Sequence, residues 1–376
     1  MDGHTQFANQ QNPPLIVHSD SSRAWGGQEI RVLTELREMR RRGCRVALIA
    51  RVNAPLVQRC KEAAIAVYQV SDFNKFSPAA WLLLRQLIRR IRPTVLNTHS
   101  SEDSWMAAPL ARLVGVPLVL RTRHVSAPVS STLSYRFPHA ILACSEAIAD
   151  QLVSQGIAEE RISVVATGND AARFQFSAVK RQKLRSRYGL DVADILIGNV
   201  GFLRDYKGHA FILDVLAGLA PVYKVMLVGD GELRSALQKQ AQRLGIADRV
   251  IFVGHQERPE DFYHAFDLFF FSSHAAEGVS QALVQALLNG LPVLSCRLHS
   301  NEEVLQGVAN SRLVQYGDIE AAVEALGALA AQPRRDPEAM AAQHAAINAR
   351  YGLAAMMQRL AEVYARHGHI LPERQV

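Results

Sequence analysis

Short apolar runs alternate with amphipathic helical patterns along the chain, and this alternation constrains the fold more than any other sequence feature. In the first half, helices are predicted at 31–43 and 81–92, with apolar runs on either side. Strands joined by helical crossovers pair in parallel, so the pattern predicts a parallel sheet covered by helices. The predicted strands are LIVHS (15–19), RVALIA (45–50), TVLNTH (94–99), PLVLRT (117–122), AILACS (140–145) and ISVVAT (162–167).

The alternation stops at residues 174–190 and then restarts. This segment, FQFSAVKRQKLRSRYGL, is polar and at most helical. A chain of 376 residues is too long for one comfortable hydrophobic core. Two domains of roughly 150 to 200 residues are therefore expected. The strands predicted in the second set are ILIGNVG (195–201), KVMLVGD (224–230), RVIFVG (249–254), DLFFFSS (267–273) and LPVLS (291–295).

We therefore predict an α/β fold with two tandem doubly wound domains. The first covers 1–173 and the second covers 174–350. The tail, 351–376, contains a long amphipathic pattern at 351–368, which predicts a helix that packs back on the first domain. Ligands of such sheets bind beyond the carboxyl ends of the strands, so the predicted binding site is a cleft between the two domains.

Cysteine usage and the terminus indicate the compartment. Cys44, Cys60, Cys144 and Cys296 are scattered without paired spacing, which argues against a zinc site and a disulfide framework and favours the reducing cytosol. Residues 1–14 lack the charged start and apolar middle of a signal peptide. No apolar run approaches the roughly 20 residues of a membrane-spanning helix. We expect a cytoplasmic protein that does not cross a bilayer.

Basic charge is concentrated in the first half of the chain. Residues 1–188 hold 26 Lys and Arg against 14 Asp and Glu, whereas residues 189–376 hold 16 against 21. This asymmetry fits an anionic partner such as phosphate, nucleic acid or a lipid surface. It equally fits an Arg-rich proteome, because the chain has 35 Arg and 7 Lys. No recognition motif supports nucleic acid as the partner.

Residues with chemical potential follow the predicted strands of the first half. Gly26 and Gly27 lie at a loop-to-helix turn, where backbone N–H groups can approach a phosphate at a helix N-terminus, although a Gly-Gly turn is weak support by itself. His18, His99 and His124 lie near three strand ends. A lone histidine is usually structural, but three at the ligand-facing edge of one sheet indicate a site.

The second half carries a comparable set. Arg204 and Lys207 follow a predicted strand, where two cations can hold a diphosphate or form a solvated loop. The sequence Gly-Asp-Gly at 229–231 falls short of a dinucleotide fingerprint and predicts a tight turn. Glu277 precedes a helix predicted to begin near Ser280, so its carboxylate can accept hydrogen bonds from sugar hydroxyls or cap the helix.

In combination, these segments resemble the retaining glycosyltransferases of family 4, of the bacterial cell-envelope type. The resemblance covers nearly the whole chain. Its most specific part is the order and spacing of three motifs, which are KGH, GDGELR and EGVSQALVQALLNGLPVL. The other matching segments are WGGQE, LNTHSSEDSW, RTRHVS, LACSEAIADQL, ISVVATGNDAARF and VIFVGHQERPEDFYHAFDLFFFSS.

The resemblance implies the GT-B fold, in which two Rossmann-like domains face a cleft. It also implies transfer of a sugar from a nucleoside-diphosphate sugar to an acceptor hydroxyl with retained configuration and no metal or other cofactor. The chain has no Asp-x-Asp pair placed to hold a metal on a diphosphate. The implied acceptors are lipid-linked glycans or lipopolysaccharide at the inner face of the membrane. The expected partners are therefore the donor, a glycan or glycolipid acceptor and an anionic membrane surface, without nucleic acid.

Positions matching the family motifs take the roles that the resemblance implies. Those implied as catalytic are His124, Glu277, Arg204 and Lys207. Those implied in donor binding are Gly26, Gly27, Gly201, Arg204, Lys207, Gly229, Gly231, His255, Glu277, Gly278, Val279, Ser280 and Gln285. Those implied in acceptor binding are His99, Ser100 and Arg123.

Two positions depart from the family pattern. Phe202 stands where the family commonly has an arginine, and we expect Arg204 to supply that charge if the segment is extended. Gln285 stands where the family has a second glutamate, which keeps a hydrogen-bonding oxygen without the charge. These departures leave open a catalytically weak sugar-nucleotide-binding subunit. A nucleotide-sugar epimerase shares the architecture, but its acid and base pairs are not recognisable.

The predicted helix at 81–92, WLLLRQLIRRIR, combines Trp, Leu and Ile with four Arg. That composition is typical of a helix lying on an anionic bilayer. It also fits a crossover helix whose apolar stripe packs on the sheet.

Overall fold

A computed structural model describes residues 13–127, 129, 131–275, 278–332 and 335–372. The chain divides into two compact units. The first consists of the residues up to Gly168 together with those from Met356 onward, and the second is Asn169–Ala355. The chain therefore enters the second unit once and returns to the first for its last helix.

The first unit contains a seven-stranded parallel sheet. Its strands are β1 (Leu15–Asp20), β2 (Arg45–Arg51), β3 (Ala66–Val70), β4 (Val95–Thr98), β5 (Leu118–Arg123), β6 (Ala140–Ala143) and β7 (Ile162–Val164). They lie side by side in the order β3-β2-β1-β4-β5-β6-β7. The sequence does not predict β3, because it is a partly exposed edge strand without an apolar run.

Helices connect most of these strands, as the alternation predicts. The unit also contains two 3-10 turns, Leu133–Tyr135 and Glu159–Arg161. The helices are α1 (Gly27–Arg41), α2 (Pro55–Glu62), α3 (Pro78–Ile91), α4 (Ser101–Leu113) and α5 (Glu146–Ser154).

Local sequence fixes the ends of α3. The Ser77 hydroxyl accepts a hydrogen bond from the Ala80 N–H at 3.3 Å, and Pro78 occupies the first turn, where no N–H is needed. Arg92 ends the helix in the left-handed conformation with φ +47°, and Pro93 prevents its continuation.

The second unit contains a six-stranded parallel sheet. Its strands are β8 (Ile195–Val200), β9 (Tyr223–Val228), β10 (Val250–Gly254), β11 (Leu268–Phe271), β12 (Val293–Cys296) and β13 (Ser311–Val314). They lie side by side in the order β10-β9-β8-β11-β12-β13. The sequence does not predict β13, because its residues, SRLV, are half polar and lie at the sheet edge.

Part of the polar segment between the two strand sets forms a helix, Ala178–Arg187. Four 3-10 segments lie at Ala171–Phe174, Asp205–Lys207, Ala247–Arg249 and Pro259–His264. The helices from this point onward are α6 (Ala178–Arg187), α7 (His209–Gly218), α8 (Arg234–Arg243), α9 (Gln281–Leu288), α10 (His299–Leu305), α11 (Ile319–Ala330), α12 (Pro337–Tyr351) and α13 (Leu353–Arg366).

From Met356 onward, α13 packs within the first unit. Met357 and Leu360 are fully buried. Arg359 Nη1 donates a hydrogen bond to a backbone carbonyl of β7 at 3.2 Å, and Arg366 Nη2 donates to Ser163 Oγ at 2.6 Å. The two parallel α/β sheets confirm the fold class predicted from the sequence.

Candidate functional site

Three histidines form a row at the carboxyl edge of the first sheet. His18 lies in β1, His99 follows β4 and His124 follows β5, which are three neighbouring strands. The nitrogens His99 Nε2 and His18 Nδ1 are 2.8 Å apart, and His99 Nδ1 and His124 Nε2 are 3.0 Å apart. The structure therefore brings these predicted residues into one hydrogen-bonded group.

The row is uncharged at neutral pH. His18 and His99 are buried, and burial is the main cause that lowers the pKa of His18 and holds the pKa of His99 well below the ordinary value. Burial of its ring, with Arg31 and Arg123 as further causes, also holds the pKa of His124 well below the ordinary value. These rings consequently act as hydrogen-bonding groups rather than cations.

A buried charged group continues the row, and the sequence analysis missed it. The sulfur of Cys144, which follows β6, lies 3.5 Å from His124 Nδ1 and accepts a hydrogen bond from Arg31 Nη1 at 3.2 Å. Arg31 also donates to Glu35 Oε2 at 3.2 Å, and both side chains are fully buried in α1. Charged residues four positions apart on the apolar face of a predicted helix were the signal that could have revealed this pair.

The glycines predicted to approach a phosphate lie where α1 begins. The Gly26 N–H donates a hydrogen bond to Glu29 Oε2, with 2.6 Å between nitrogen and oxygen. A Cβ added to Gly27 would meet no atom within 4 Å, so this position opens onto free space.

Ser100 is held by carboxylates of its own unit. Its hydroxyl donates to Asp20 Oδ1 at 3.0 Å, and its N–H donates to Asp103 Oδ1 at 2.8 Å. Burial raises the pKa of Asp20 to about 6. Arg123 Nη2 donates to the Ala127 carbonyl at 2.6 Å and so braces the loop that carries His124.

In the second unit, two cations follow β8. The guanidinium carbon of Arg204 lies 5.3 Å from the centre of the Phe202 ring, which is 39% exposed. The Lys207 ammonium lies 5.7 Å from the Phe271 ring centre, and the Lys207 carbonyl accepts a hydrogen bond from Ser272 Oγ at 2.7 Å. Both cations thus lie within cation–π distance of aromatic rings at the carboxyl edge of the sheet.

Glycines allow the loop after β8 to approach its neighbours. Gly208 has φ +70°, and a Cβ there would lie 2.2 Å from the Ser272 carbonyl oxygen. Gly229 has φ +143°, and a Cβ there would lie 1.9 Å from the Gly201 carbonyl oxygen. Gly231 lies in the same turn, in which the Leu203 N–H donates to the Asp230 carbonyl at 3.1 Å. Backbone contacts with the segment at Ser272 and with the turn at 229–231 therefore hold the loop in place.

The other predicted donor-binding residues follow β10 and β11. His255 is exposed, whereas Gly278, Val279 and Ser280 are buried immediately before α9. Glu277 lies outside the described residues.

Gln285 lies in α9, and both ends of its amide are bound within the unit. Oε1 accepts a hydrogen bond from the Tyr263 hydroxyl at 3.0 Å, and Nε2 donates to Asn169 Oδ1 at 3.4 Å. Burial holds the pKa of Tyr263 well above its ordinary value, so this hydroxyl keeps its proton.

The described part of the chain contains no cluster of three or more His, Cys, Asp or Glu side chains arranged to hold a metal ion. The four cysteines are free and buried. Across the described ranges, no helix has both the length and the apolar character needed to span a bilayer.

Known proteins share this fold. The crystal structure of Anabaena Alr3699/HepE in complex with UDP-glucose superposes with a TM-score of 0.82 at 20% identity, covering 94% of this chain and 99% of that one. Two parallel α/β units of this kind define the GT-B fold, which agrees with the expectation from the motifs.

The family follows from sequence comparisons. The family model described as Glycosyltransferase Family 4 matches residues 25–173, and the one described as Glycosyl transferases group 1 matches residues 180–348. The lipopolysaccharide core biosynthesis glycosyltransferase LpsE of Rhizobium meliloti (strain 1021) is 30% identical over 252 residues, which are 65% of this chain and 68% of LpsE.

A second relative is the UDP-Gal:alpha-D-GlcNAc-diphosphoundecaprenol alpha-1,3-galactosyltransferase of Escherichia coli. It is 24% identical over 306 residues, covering 75% of this chain and 79% of that protein. The chain belongs to the group 1, family 4 glycosyltransferases, and the family predicted from the motifs is confirmed.

Proposed function

We propose that the protein transfers a sugar from a nucleoside-diphosphate sugar to a hydroxyl of a lipid-linked glycan or lipopolysaccharide core, with retention of the anomeric configuration. The names of two relatives support this acceptor class, since one acts in lipopolysaccharide core biosynthesis and the other on a diphosphoundecaprenol-linked sugar. A structural neighbour holds UDP-glucose, which supports the donor class.

The main support for this proposal is the pair of cations, Arg204 and Lys207, in the loop after β8. Departure of a nucleoside diphosphate builds negative charge on its oxygens, and positioned cations stabilise that charge most effectively when they need not reorganise. Arg204 and Lys207 are positioned by aromatic rings and by the fastened loop, and the positive N-terminal end of α7 follows directly.

The neighbouring histidine adds no positive charge to this loop at neutral pH. His209 begins α7, and burial lowers its pKa to about 4, so its ring is neutral at the working pH. We propose that Arg204 and Lys207 neutralise the negative charge of the diphosphate without a metal ion. Glu277 and His124 are proposed to contact the donor sugar, as the family resemblance implies.

Retention requires a route for the proton of the acceptor hydroxyl. At the carboxyl edge of the first unit, the described imidazoles are neutral, and the carboxylates of Asp20 and Asp103 are buried and hydrogen-bonded within the unit. We infer that a phosphate oxygen of the leaving diphosphate takes this proton while the hydroxyl attacks on the same face of the sugar.

The test is a thermal-shift panel of nucleoside diphosphates and their sugars, followed by donor turnover with an acceptor. The nucleotide that stabilises the protein most identifies the donor base, because ligand binding to the folded state raises its stability. The Arg204→Ala variant should bind that nucleotide roughly 10- to 100-fold more weakly, the effect of losing one charge-assisted contact.

Arg234→Ala is the matched control. Arg234 forms a partly exposed ion pair with Asp230 at 3.1 Å, so its removal should change nucleotide affinity by less than about twofold. Equal effects of the two variants would contradict the diphosphate role of Arg204. Binding of donor without release of nucleoside diphosphate would instead identify a sugar-nucleotide-binding subunit.

We further propose that the protein is cytoplasmic and attaches peripherally to the anionic inner face of the membrane through α3. Leu82 and Leu83 are 52% and 61% exposed, and Phe76 in the preceding loop is 83% exposed. Arg89 and Arg90 are exposed about two turns further along the helix. Apolar side chains that can enter the interface, beside cations that attract anionic headgroups, are the features of an interfacial helix.

A further inference from the structure

The row of histidines has one more member at the carboxyl edge of the sheet. His18, His99, His124 and Cys144 come from β1 or from the loops after β4, β5 and β6, which lie side by side in the sheet. Three contacts of 2.8, 3.0 and 3.5 Å join them in that order. This row links a buried ion pair at α1 to the residue that the family resemblance places at the donor sugar.

The number of protons on each ring limits the directions in which the hydrogen bonds of the row can run. A neutral imidazole has one N–H donor and one acceptor nitrogen. His99 uses both of its nitrogens on other imidazoles, so a choice of tautomer at His99 dictates the tautomers of His18 and His124. The hydrogen bonds must therefore all run in one direction along the row.

The two ends of the row favour one of the directions. Arg31 is a permanent donor to the Cys144 sulfur, which leaves the S–H of Cys144 free to donate to His124 Nδ1. That direction places a proton on Nε2 of each imidazole.

At the His18 end of the row, the last hydrogen-bond donor is His18 Nε2. This nitrogen and Glu35 Oε1 are both buried and, among the residues that the structure describes, neither has a hydrogen-bonding partner. In this direction His18 Nε2 is a donor and Glu35 Oε1 is an acceptor, although Arg31 Nη2 is a second buried donor without a partner among the described residues. The Glu35 charge acts on His18 and opposes the effect of burial on its pKa.

We propose that His99 and His18 are positioning residues that fix His124 as a neutral imidazole protonated on Nε2, with both ring nitrogens bound inside the first unit. His124 then meets the donor sugar with its backbone or ring face and offers no titrating nitrogen. The catalytic consequence rests on the proposed transferase function, whereas the tautomer does not.

The surroundings of His124 keep its ring uncharged over the physiological pH range. The groups that face it are His99 after β4, His18 in β1, Cys144 after β6, Arg123 at the end of β5 and Arg31 in α1. Both arginines disfavour a proton on the ring.

The experiment measures ¹⁵N resonances of histidine-labelled full-length protein, which distinguish protonated from unprotonated ring nitrogens, and donor kinetics of the same samples. Wild-type His124 should show protonated Nε2 and bare Nδ1 from about pH 5.5 to about pH 8, without titration. Protonation on Nδ1, or titration near the ordinary histidine value, would overturn the proposal.

Variants at His18 separate positioning from simple packing. His18→Leu removes the acceptor for His99, so the row can reverse and His124 should show mixed tautomers. The value of kcat should fall roughly tenfold while the donor KM stays within about twofold, as expected for lost orientation rather than lost binding. His18→Asn keeps an acceptor near the position of Nδ1 and should restore the wild-type pattern.

His367→Leu, at an exposed histidine of the same unit, is the control and should change neither measurement. If His18→Leu does not fold, Cys144→Ala against Cys144→Ser poses the same question at the other end, because only serine retains a donor. Identical His124 resonances in the paired variants would overturn the proposal. Absence of turnover by the wild type would overturn the proposed function alone, because the resonances are measured independently of activity.

Discussion

A single backbone position controls the cation-bearing loop after β8. Gly208 combines a left-handed φ with a carbonyl oxygen lying where a side chain would begin. Gly245, between α8 and β10, has nearly the same φ, +69° against +70°, but a Cβ there would meet no atom within 4 Å. The two glycines therefore separate backbone strain from steric collision.

We predict that Gly208→Ala destabilises the protein by roughly 2–4 kcal/mol and weakens nucleotide binding, because the loop must move away from Ser272. Gly245→Ala should cost only about 1 kcal/mol and leave nucleotide affinity unchanged. Urea unfolding and nucleotide titration measure both effects. Equal losses in the two variants would show that the close approach to Ser272 is unimportant.

At the scale of secondary structure, α3 has two faces of different character. Leu84 and Ile88 are buried in a core cluster that contains residues of both α4 and the sheet, as a crossover helix requires. Leu82, Leu83, Arg89 and Arg90 lie on the exposed side. The buried residues fit the crossover interpretation of the 81–92 segment, and the exposed ones are compatible with the interfacial interpretation, which remains a proposal.

We predict that the protein floats with vesicles containing phosphatidylglycerol and not with vesicles of phosphatidylcholine alone. Replacing Arg89 and Arg90 together by alanine should weaken binding roughly 30-fold at low salt, since each cation near the surface contributes about 1 kcal/mol. Leu82→Ser with Leu83→Ser should also weaken it by removing the inserted apolar area. Leu113→Ser, at a 69% exposed leucine of α4, should have no effect.

Lack of preference for anionic vesicles in the wild type would contradict attachment through α3. Equal losses from the Leu113 variant and the α3 variants would show that exposed leucines in general, rather than this helix, cause the binding.

For the whole molecule, buried histidines dominate the expected pH dependence of stability. Burial lowers the pKa of eight described histidines, so the unfolded chain binds protons more readily than the folded protein as the pH falls below the ordinary pKa of histidine. They are His18, His99, His124, His139, His209, His264, His367 and His369. Asp20 and Asp103 act in the opposite sense, because burial raises the pKa of Asp20 to about 6 and the pKa of Asp103 well above its ordinary value, which makes their stabilising contribution greatest at low pH.

We predict that the melting temperature falls between about pH 7.5 and about pH 5.5, as calorimetry would show. His209 and His264, each with a pKa lowered to about 4, are present as uncharged rings in the folded protein. Each should contribute roughly 1 kcal/mol to the loss at about pH 5.5.

His209→Leu should reduce the acid-induced loss by that amount. The ring is buried and uncharged at neutral pH, so an apolar replacement should be tolerated there. Gly245→Ala is the control, because it should lower stability equally at both pH values. An unchanged pH dependence in His209→Leu would refute the assignment.

Much of the fold and part of the candidate site could be predicted from sequence. Apolar runs of sheet length located eleven of the strands, and the ends of those runs placed His18, His99 and His124 at one edge. The partly exposed edge strands β3 and β13 gave no such signal. The buried Arg31–Glu35 pair was missed, because a helical pattern does not reveal what a charged side chain will contact.

The sequence by itself determined the alternating α/β architecture, the family and the positions of glycines and cations at strand ends, because periodicity and turn chemistry are local properties. Tertiary structure alone decided that β1, β4, β5 and β6 lie side by side, which joined three histidines and a cysteine distant in the chain. It also decided that Gly208 and Gly229 serve close approach to neighbouring loops. Hydrogen bonds and collisions between distant segments depend on strand order and packing, which no local pattern specifies.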